Sequence, residues 1–158
     1  MGNIFSGSDV IEIGIEIEKN GKDFYDALSN KSKNQGAKGV FKYLAGEEEK
    51  HIMAFQEILK KVNKYEPAEG YPGEYLAYMN ALAGEYIFTE AGKGIMIAKK
   101  LNSDSEAVNA GIGFEKDSIL FYEGMKKMVP DYEYNALDEL IRQEQEHLNK
   151  LAELKKNL

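Results

Sequence analysis

The 158-residue chain carries a formal net charge of -7, is 43% hydrophobic and contains no cysteine. Its length and apolar content suit one folded domain over residues 1–158, and its acidic balance argues against a nucleic-acid partner, which needs clustered Lys and Arg. The lack of cysteine removes disulfides, zinc–thiolate sites, iron–sulfur clusters and thiol catalysis, and leaves His51 and His147 as the only histidines.

No run of about eighteen apolar residues occurs, so no membrane span is expected. Residues Met1 to Ser8 lack a basic region followed by an apolar core, so a cytoplasmic location is expected. Asp9 and Glu12 stand at the spacing of a weak capping box and mark the first helix start. The alternation of Ile11, Ile13, Ile15 and Ile17 with polar residues and Gly14 is locally strand-like. The helical spacing of Phe24, Tyr25 and Leu28 decides for a helix. A polar break over about 30–36 follows, and a second helix is expected from about Ala37 to Asn63. It places Phe41, Leu44, Ile52, Phe55, Leu59 and Val62 on one face, with Glu48 in phase and His51 three residues on.

Pro67, Gly70, Pro72 and Gly73 then punctuate a turn region. A short helix from Glu74 to about Tyr86 is expected, and Gly92 and Gly94 interrupt the apolar segment beyond it. Glu85 and Glu90 in this connection read as solvated surface. Ser103 to Glu106 form a capping box for a third helix that runs to about Met128, where Val129-Pro130 ends it. Asp131 opens or nearly opens the last helix, which reaches about Lys156 with basic residues in its final turn. The two long helix pairs thus cover about 9–63 and 103–156.

These pairs repeat one another. Gly14-Ile15, Glu18-Lys19 and Phe24-Tyr25 return at the same spacing as Gly111-Ile112, Glu115-Lys116 and Phe121-Tyr122. Leu44, Glu48, His51, Ile52 and Phe55 are matched by Leu140, Glu144, His147, Leu148 and Leu151. Two copies point to halves of one bundle related by a pseudo-two-fold axis. In each Glu-x-x-His the two side chains leave one helix face, and that face is the apolar one. A carboxylate turned into a core is costly unless something compensates its charge. A lone Glu-x-x-His means little, but four carboxylates and both histidines at equivalent places in a duplicated frame point to a metal centre. Glu47 also stands four residues before His51, but position 143 is Gln, so only the three-residue spacing recurs. Gly14 and Gly111, one turn before Glu18 and Glu115, suggest close helix approach or room beside the centre.

This pattern resembles the ferritin-like di-iron carboxylate bundles, which take one Glu from each of two helices and Glu-x-x-His from each of the other two. Within them it is most similar to the rubrerythrin branch, whose first and third helices carry Glu followed by aromatic-Tyr. The resemblance implies an all-α, ferritin-like four-helix bundle with a long connection, carrying a short helix, between its second and third helices. It implies two iron, or manganese, ions held by Glu18, Glu48, His51, Glu115, Glu144 and His147. Glu18 and Glu115 would be terminal ligands and Glu48 and Glu144 bridges, with Tyr25 and Tyr122 hydrogen-bonded across to the opposite half's carboxylate. Oxygen and imidazole donors suit those metals, and two +2 ions roughly balance four carboxylates.

The implied activity is reduction of hydrogen peroxide or consumption of dioxygen in oxidative-stress defence, in a homo-oligomer, most simply a dimer. Ferroxidase and iron-storage activity uses the same ligands, and a metal-free helical interaction module is a third reading. Full-length rubrerythrins add a rubredoxin-type iron held by four cysteines. Without cysteine, this chain implies a separate electron-donor protein. The prototype's seventh carboxylate, one turn past the third-helix ligand, is Ser118 here.

Overall fold

A computed structural model describes residue 4 and residues 6–62 and 73–158. The described residues form six α-helices: α1 (Gly7–Lys31), α2 (Gln35–Val62), α3 (Gly73–Glu85), α4 (Lys93–Lys100), α5 (Asp104–Met125) and α6 (Tyr134–Lys156). Short 3-10 turns cover Ile87–Thr89, Lys126–Met128 and Asp131–Glu133. Helix α1 packs along α2 and α5 along α6. The two hairpins meet through α1 with α5 and α2 with α6, which is the all-α four-helix bundle expected from the repeat. No helix among the described residues is long and apolar enough to cross a membrane.

The start of α1 lies earlier than Asp9. Ser6 caps the helix by accepting from the Asp9 backbone N–H, and the Asp9 carboxylate accepts from the Ser6 N–H. Asp9 is therefore the reciprocal acid of the capping box. The isoleucine alternation has a tertiary cause. Ile11, Ile15 and Ile17 are buried and Ile13 is packed against the core, because α2, α5, α4 and the Ile87–Thr89 turn all lie against α1. A helix covered on several sides loses its single apolar stripe.

The α1–α2 connection is shorter than the polar run suggested, since α1 continues to Lys31 and α2 begins at Gln35. The expected end of the second helix at Asn63, and Pro67, Gly70 and Pro72, lie outside the described residues. The expected short helix is α3. Beyond it a second one, α4, occupies the segment that Gly92 and Gly94 interrupt. Gly92 sits at φ 78° as the N-cap of α4, a left-handed conformation that glycine adopts without strain. At Gly94 a Cβ would collide with the Asn20 carbonyl oxygen, so this glycine lets α4 cross close to α1.

Asn20, buried in α1, clamps this layer down. Its amide nitrogen donates to the carbonyls of Phe88 (2.6 Å) and Glu90 (2.7 Å), and its oxygen accepts from the Gly94 N–H (2.8 Å). The clamp holds the Ile87–Thr89 turn on the bundle and delivers Tyr86 and Phe88 into the core. Replacing Asn20 with Ala orphans the Phe88 carbonyl and the Gly94 N–H in a buried place, while the Glu90 carbonyl keeps the Lys93 N–H at 3.4 Å. The expected loss is about 3 kcal/mol, read from the midpoint of urea unfolding.

Candidate metal centre

Glu18 on α1, Glu48 and His51 on α2, Glu115 on α5, and Glu144 and His147 on α6 converge at the middle of the bundle. None is more than 3% exposed, so bulk water cannot solvate their charge. The sequence reading named these six, and the fold brings all of them together. Glu85 and Glu90 are exposed and take no part.

Their contacts obey the two-fold relation. Tyr25 on α1 donates to Glu115 Oε1 at 2.7 Å, and Tyr122 on α5 donates to Glu18 Oε1 at 2.5 Å. His51 Nδ1 lies 2.7 Å from Glu144 Oε1 and 3.5 Å from Glu18 Oε2. His147 Nδ1 lies 3.1 Å from Glu48 Oε1 and 3.6 Å from Glu115 Oε1. The two imidazoles stack at 5.2 Å, 11° from parallel. Each tyrosine therefore binds the carboxylate of the other hairpin and leaves that group's second oxygen free.

The remaining polar atoms test whether the site fits a metal. Glu18 Oε2, Glu48 Oε1, His51 Nδ1, Glu115 Oε2, Glu144 Oε1 and His147 Nδ1 are all buried without a hydrogen bond. Each residue contributes one such atom, and His147 contributes Nε2 as well; buried polar atoms are rarely left so. Glu48, His51, Glu144 and His147 offer ligand atoms that all lie within 4.8 Å of one another, a group able to hold a metal ion.

The imidazole tautomer is set from outside. Gln143 Nε2 donates to Glu139 at 2.9 Å, which turns the amide oxygen toward His51 Nε2 at 2.7 Å. An amide oxygen only accepts, so His51 carries its proton on Nε2 and turns the Nδ1 lone pair toward the carboxylates.

The carboxylates share charge unevenly. Burial, with the like charges of Glu115 and Glu18, pushes Glu144 well above the usual carboxylate range. Burial also acts to raise Glu115, but the neighbouring Glu144 and His147 side chains and the Tyr25 hydroxyl overcome it and hold Glu115 low. Protonation is thus favoured at Glu144 and opposed at Glu115. Burial opposes protonation of both histidines, and the surrounding carboxylates more than offset it. Burial, then the neighbouring carboxylates, keeps the Tyr25 and Tyr122 phenols protonated.

Three features of the site were not assigned by the sequence reading. Tyr86, from the connection, shares a 2.8 Å hydrogen bond with Ser118 and donates to the Phe114 carbonyl at 3.0 Å. The two hydroxyls flank a cavity of about 10 Å³ that also touches Glu48, Glu115, Glu144 and Tyr25, the space of roughly one water. Gly21 lines the same cavity, and a Cβ there would stand 3.2 Å from Glu48 Oε2. Gln143 is the third. Tyr86 has no partner in the repeat, Gly21 occupies the repeat position of Ser118, and Gln143 served only to fix the motif spacing. Gly14 and Gly111 have a packing cause instead: added Cβ atoms would press on Met125 and Phe55, and on Leu151 and Tyr25.

The metal-free protein has a pH signature. Glu144 has a folded pKa above its unfolded one, so its contribution is fully present below the unfolded value and is lost as pH rises through the folded value. Metal-free protein should lose stability from mildly acid pH upward. Glu144→Gln should flatten that fall and raise the melting temperature at neutral pH, as thermal scans between pH 5 and pH 8 would record.

Comparison with known proteins agrees with this geometry. A crystal structure of a ferritin-like diiron-carboxylate protein from Thermotoga maritima superposes with a TM-score of 0.76 and 27% identity. The match covers 99% of this chain and 98% of that one. No curated protein matches at a significant level. The family model for rubrerythrin matches residues 9–155, nearly the whole duplicated frame, and the chain belongs to the rubrerythrin family.

Proposed function

We propose that this protein is a di-iron or di-manganese oxidoreductase that reduces hydrogen peroxide or dioxygen in oxidative-stress defence. The observation that carries the reading is the set of six orphaned ligand atoms, one from each of Glu18, Glu48, His51, Glu115, Glu144 and His147. Removing a metal-sized compensation from four buried carboxylates and two imidazoles would leave them as a severe desolvation cost. The likeness to a diiron-carboxylate protein supports iron, and oxygen with imidazole donors suits iron or manganese.

The residues divide by role. Tyr122 occupies one oxygen of Glu18 and Tyr25 one oxygen of Glu115, so each of these carboxylates has a single oxygen left, as terminal ligands do. Glu48 and Glu144 lie with the two histidines in the inner group, where a carboxylate can serve both ions. His51 and His147 present Nδ1. Held by these six residues, two iron or manganese ions would supply the two electrons that, with two protons, turn hydrogen peroxide into two waters.

The chain's own contribution is selection and containment. The cavity beside Glu115 and Glu144 has room for a molecule about the size of water, too little for an organic substrate. Phe88 and Phe114, stacked at 3.9 Å, wall it with apolar surface. Tyr25 and Tyr122 orient the terminal carboxylates and keep their phenol protons. With no cysteine in the chain, the electrons come from a separate donor protein. A cytoplasmic homodimer is the assembly that fits this reading.

Titration of metal-free protein with ferrous iron, without air, should find two ions per centre and stabilise the fold by linkage, about 2.7 kcal/mol at a hundredfold excess over Kd. Absence of binding would overturn the proposal. Glu144→Ala should weaken both ions and abolish peroxide reduction while circular dichroism stays helical, because Ala is a good helix former. Glu115→Ala should mainly impair one ion. An unchanged iron count in Glu144→Ala would show that the ligands are assigned wrongly. Sedimentation separates the storage reading, which requires a large shell, from a small oligomer.

A further inference from the structure

The duplicated Glu-x-x-His helices differ at the residue just before the first glutamate, which is Gln143 on α6 and Glu47 on α2. Both side chains are half-buried. Gln143 supports the histidine across the bundle, accepting from His51 Nε2 at 2.7 Å. By the two-fold relation that the tyrosine–carboxylate and cross-hairpin histidine–carboxylate contacts obey, Glu47 is the counterpart of Gln143 on the His147 side. His147 Nε2 is buried and has no hydrogen-bond partner. Glu47 instead lies 3.0 Å from Lys50, whose side chain is 69% exposed while that of Glu47 is 16% exposed. A pair so open to solvent is weak and readily exchanged. The Glu47 charge already acts on the His147 ring from where it stands.

We propose that Glu47 accepts the Nε2 proton of His147 when the centre holds metal, so that the two metal positions rest on unlike supports: a neutral amide behind His51 and a carboxylate behind His147. This rests on the metal reading above. A carboxylate behind an imidazole fixes its tautomer and raises its donor strength, and such outer partners typically change metal affinity 10–100-fold. The ion on the His147 side therefore binds more tightly and, facing a more electron-rich ligand, is reduced at the lower potential. Glu47 is a positioning residue, acting through His147. The asymmetry gives an ordered filling of the centre and an ordered entry of electrons, in a frame whose direct ligands are symmetric.

The test uses full-length protein, anaerobic ferrous iron and the Glu47→Gln variant, which keeps an acceptor of the same shape and removes only its charge. Wild type should show two unequal binding steps by calorimetry and two separated one-electron potentials by redox titration. In Glu47→Gln the tighter step should weaken about 10–100-fold, the lower potential should rise toward the higher, and the weaker step should stay where it is. Gln143→Glu should do the converse on the other ion. The Glu47→Gln effect should persist in a His51→Ala background and vanish in His147→Ala, as a coupling carried by one pair requires. Two ions binding to Glu47→Gln with unchanged affinities and potentials would overturn the inference and leave the metal reading intact. Wild-type protein that takes up no iron would overturn both.

Discussion

The structure depends on the compensation of charge in a dry place. Four carboxylates and two imidazoles sit at the centre of the bundle, each almost wholly removed from solvent. Left alone, such a cluster would repel itself and strongly favour unfolding. Within the protein the repulsion is relieved in stages. Two tyrosine hydroxyls take one oxygen each from Glu115 and Glu18, burial and like charge favour the protonated form of Glu144, and the histidines stand against Glu144 and Glu48. What these stages leave over is at least one buried atom without a hydrogen bond on each of the six residues.

The two-fold relation makes this arrangement economical in sequence. Each hairpin supplies one lone carboxylate, one Glu-x-x-His and one tyrosine to the buried cluster, yet neither hairpin completes it. Tyr25 reaches Glu115, Tyr122 reaches Glu18, His51 reaches Glu144 and His147 reaches Glu48. All four contacts cross between the hairpins. Docking of one pair on the other and assembly of the centre are therefore the same event, which couples ligand geometry directly to the core packing of Phe55 against Tyr122 and of Phe24 against Tyr25.

Symmetry is broken on one flank by the connection between α2 and α5. Asn20 pins it to α1, and that clamp places Tyr86 beside Ser118 with Phe88 against Phe114. The connection thereby closes one side of the centre and shapes a cavity for a very small molecule. It also covers α1 on a side that would otherwise face water.

The sequence by itself determined the bundle, its hairpins and the six residues at its centre, because duplication repeats a rare residue combination at helical spacing on apolar faces. Both histidines and four in-phase glutamates leave few other arrangements once helices must bury those faces. Only the tertiary structure decided what no periodicity encodes. The isoleucine alternation in α1 looks like a strand because periodicity assumes one buried side, and α1 is covered on several. Tyr86, Gly21 and Gln143 reach the centre through contacts distant in sequence, so nothing local marks them. The segment after Gly92 became helix because Gly94 allows α4 to lie against the Asn20 carbonyl. Spacing along one helix is set by backbone geometry and can be read from the chain, whereas contact between elements depends on which surfaces remain to be covered.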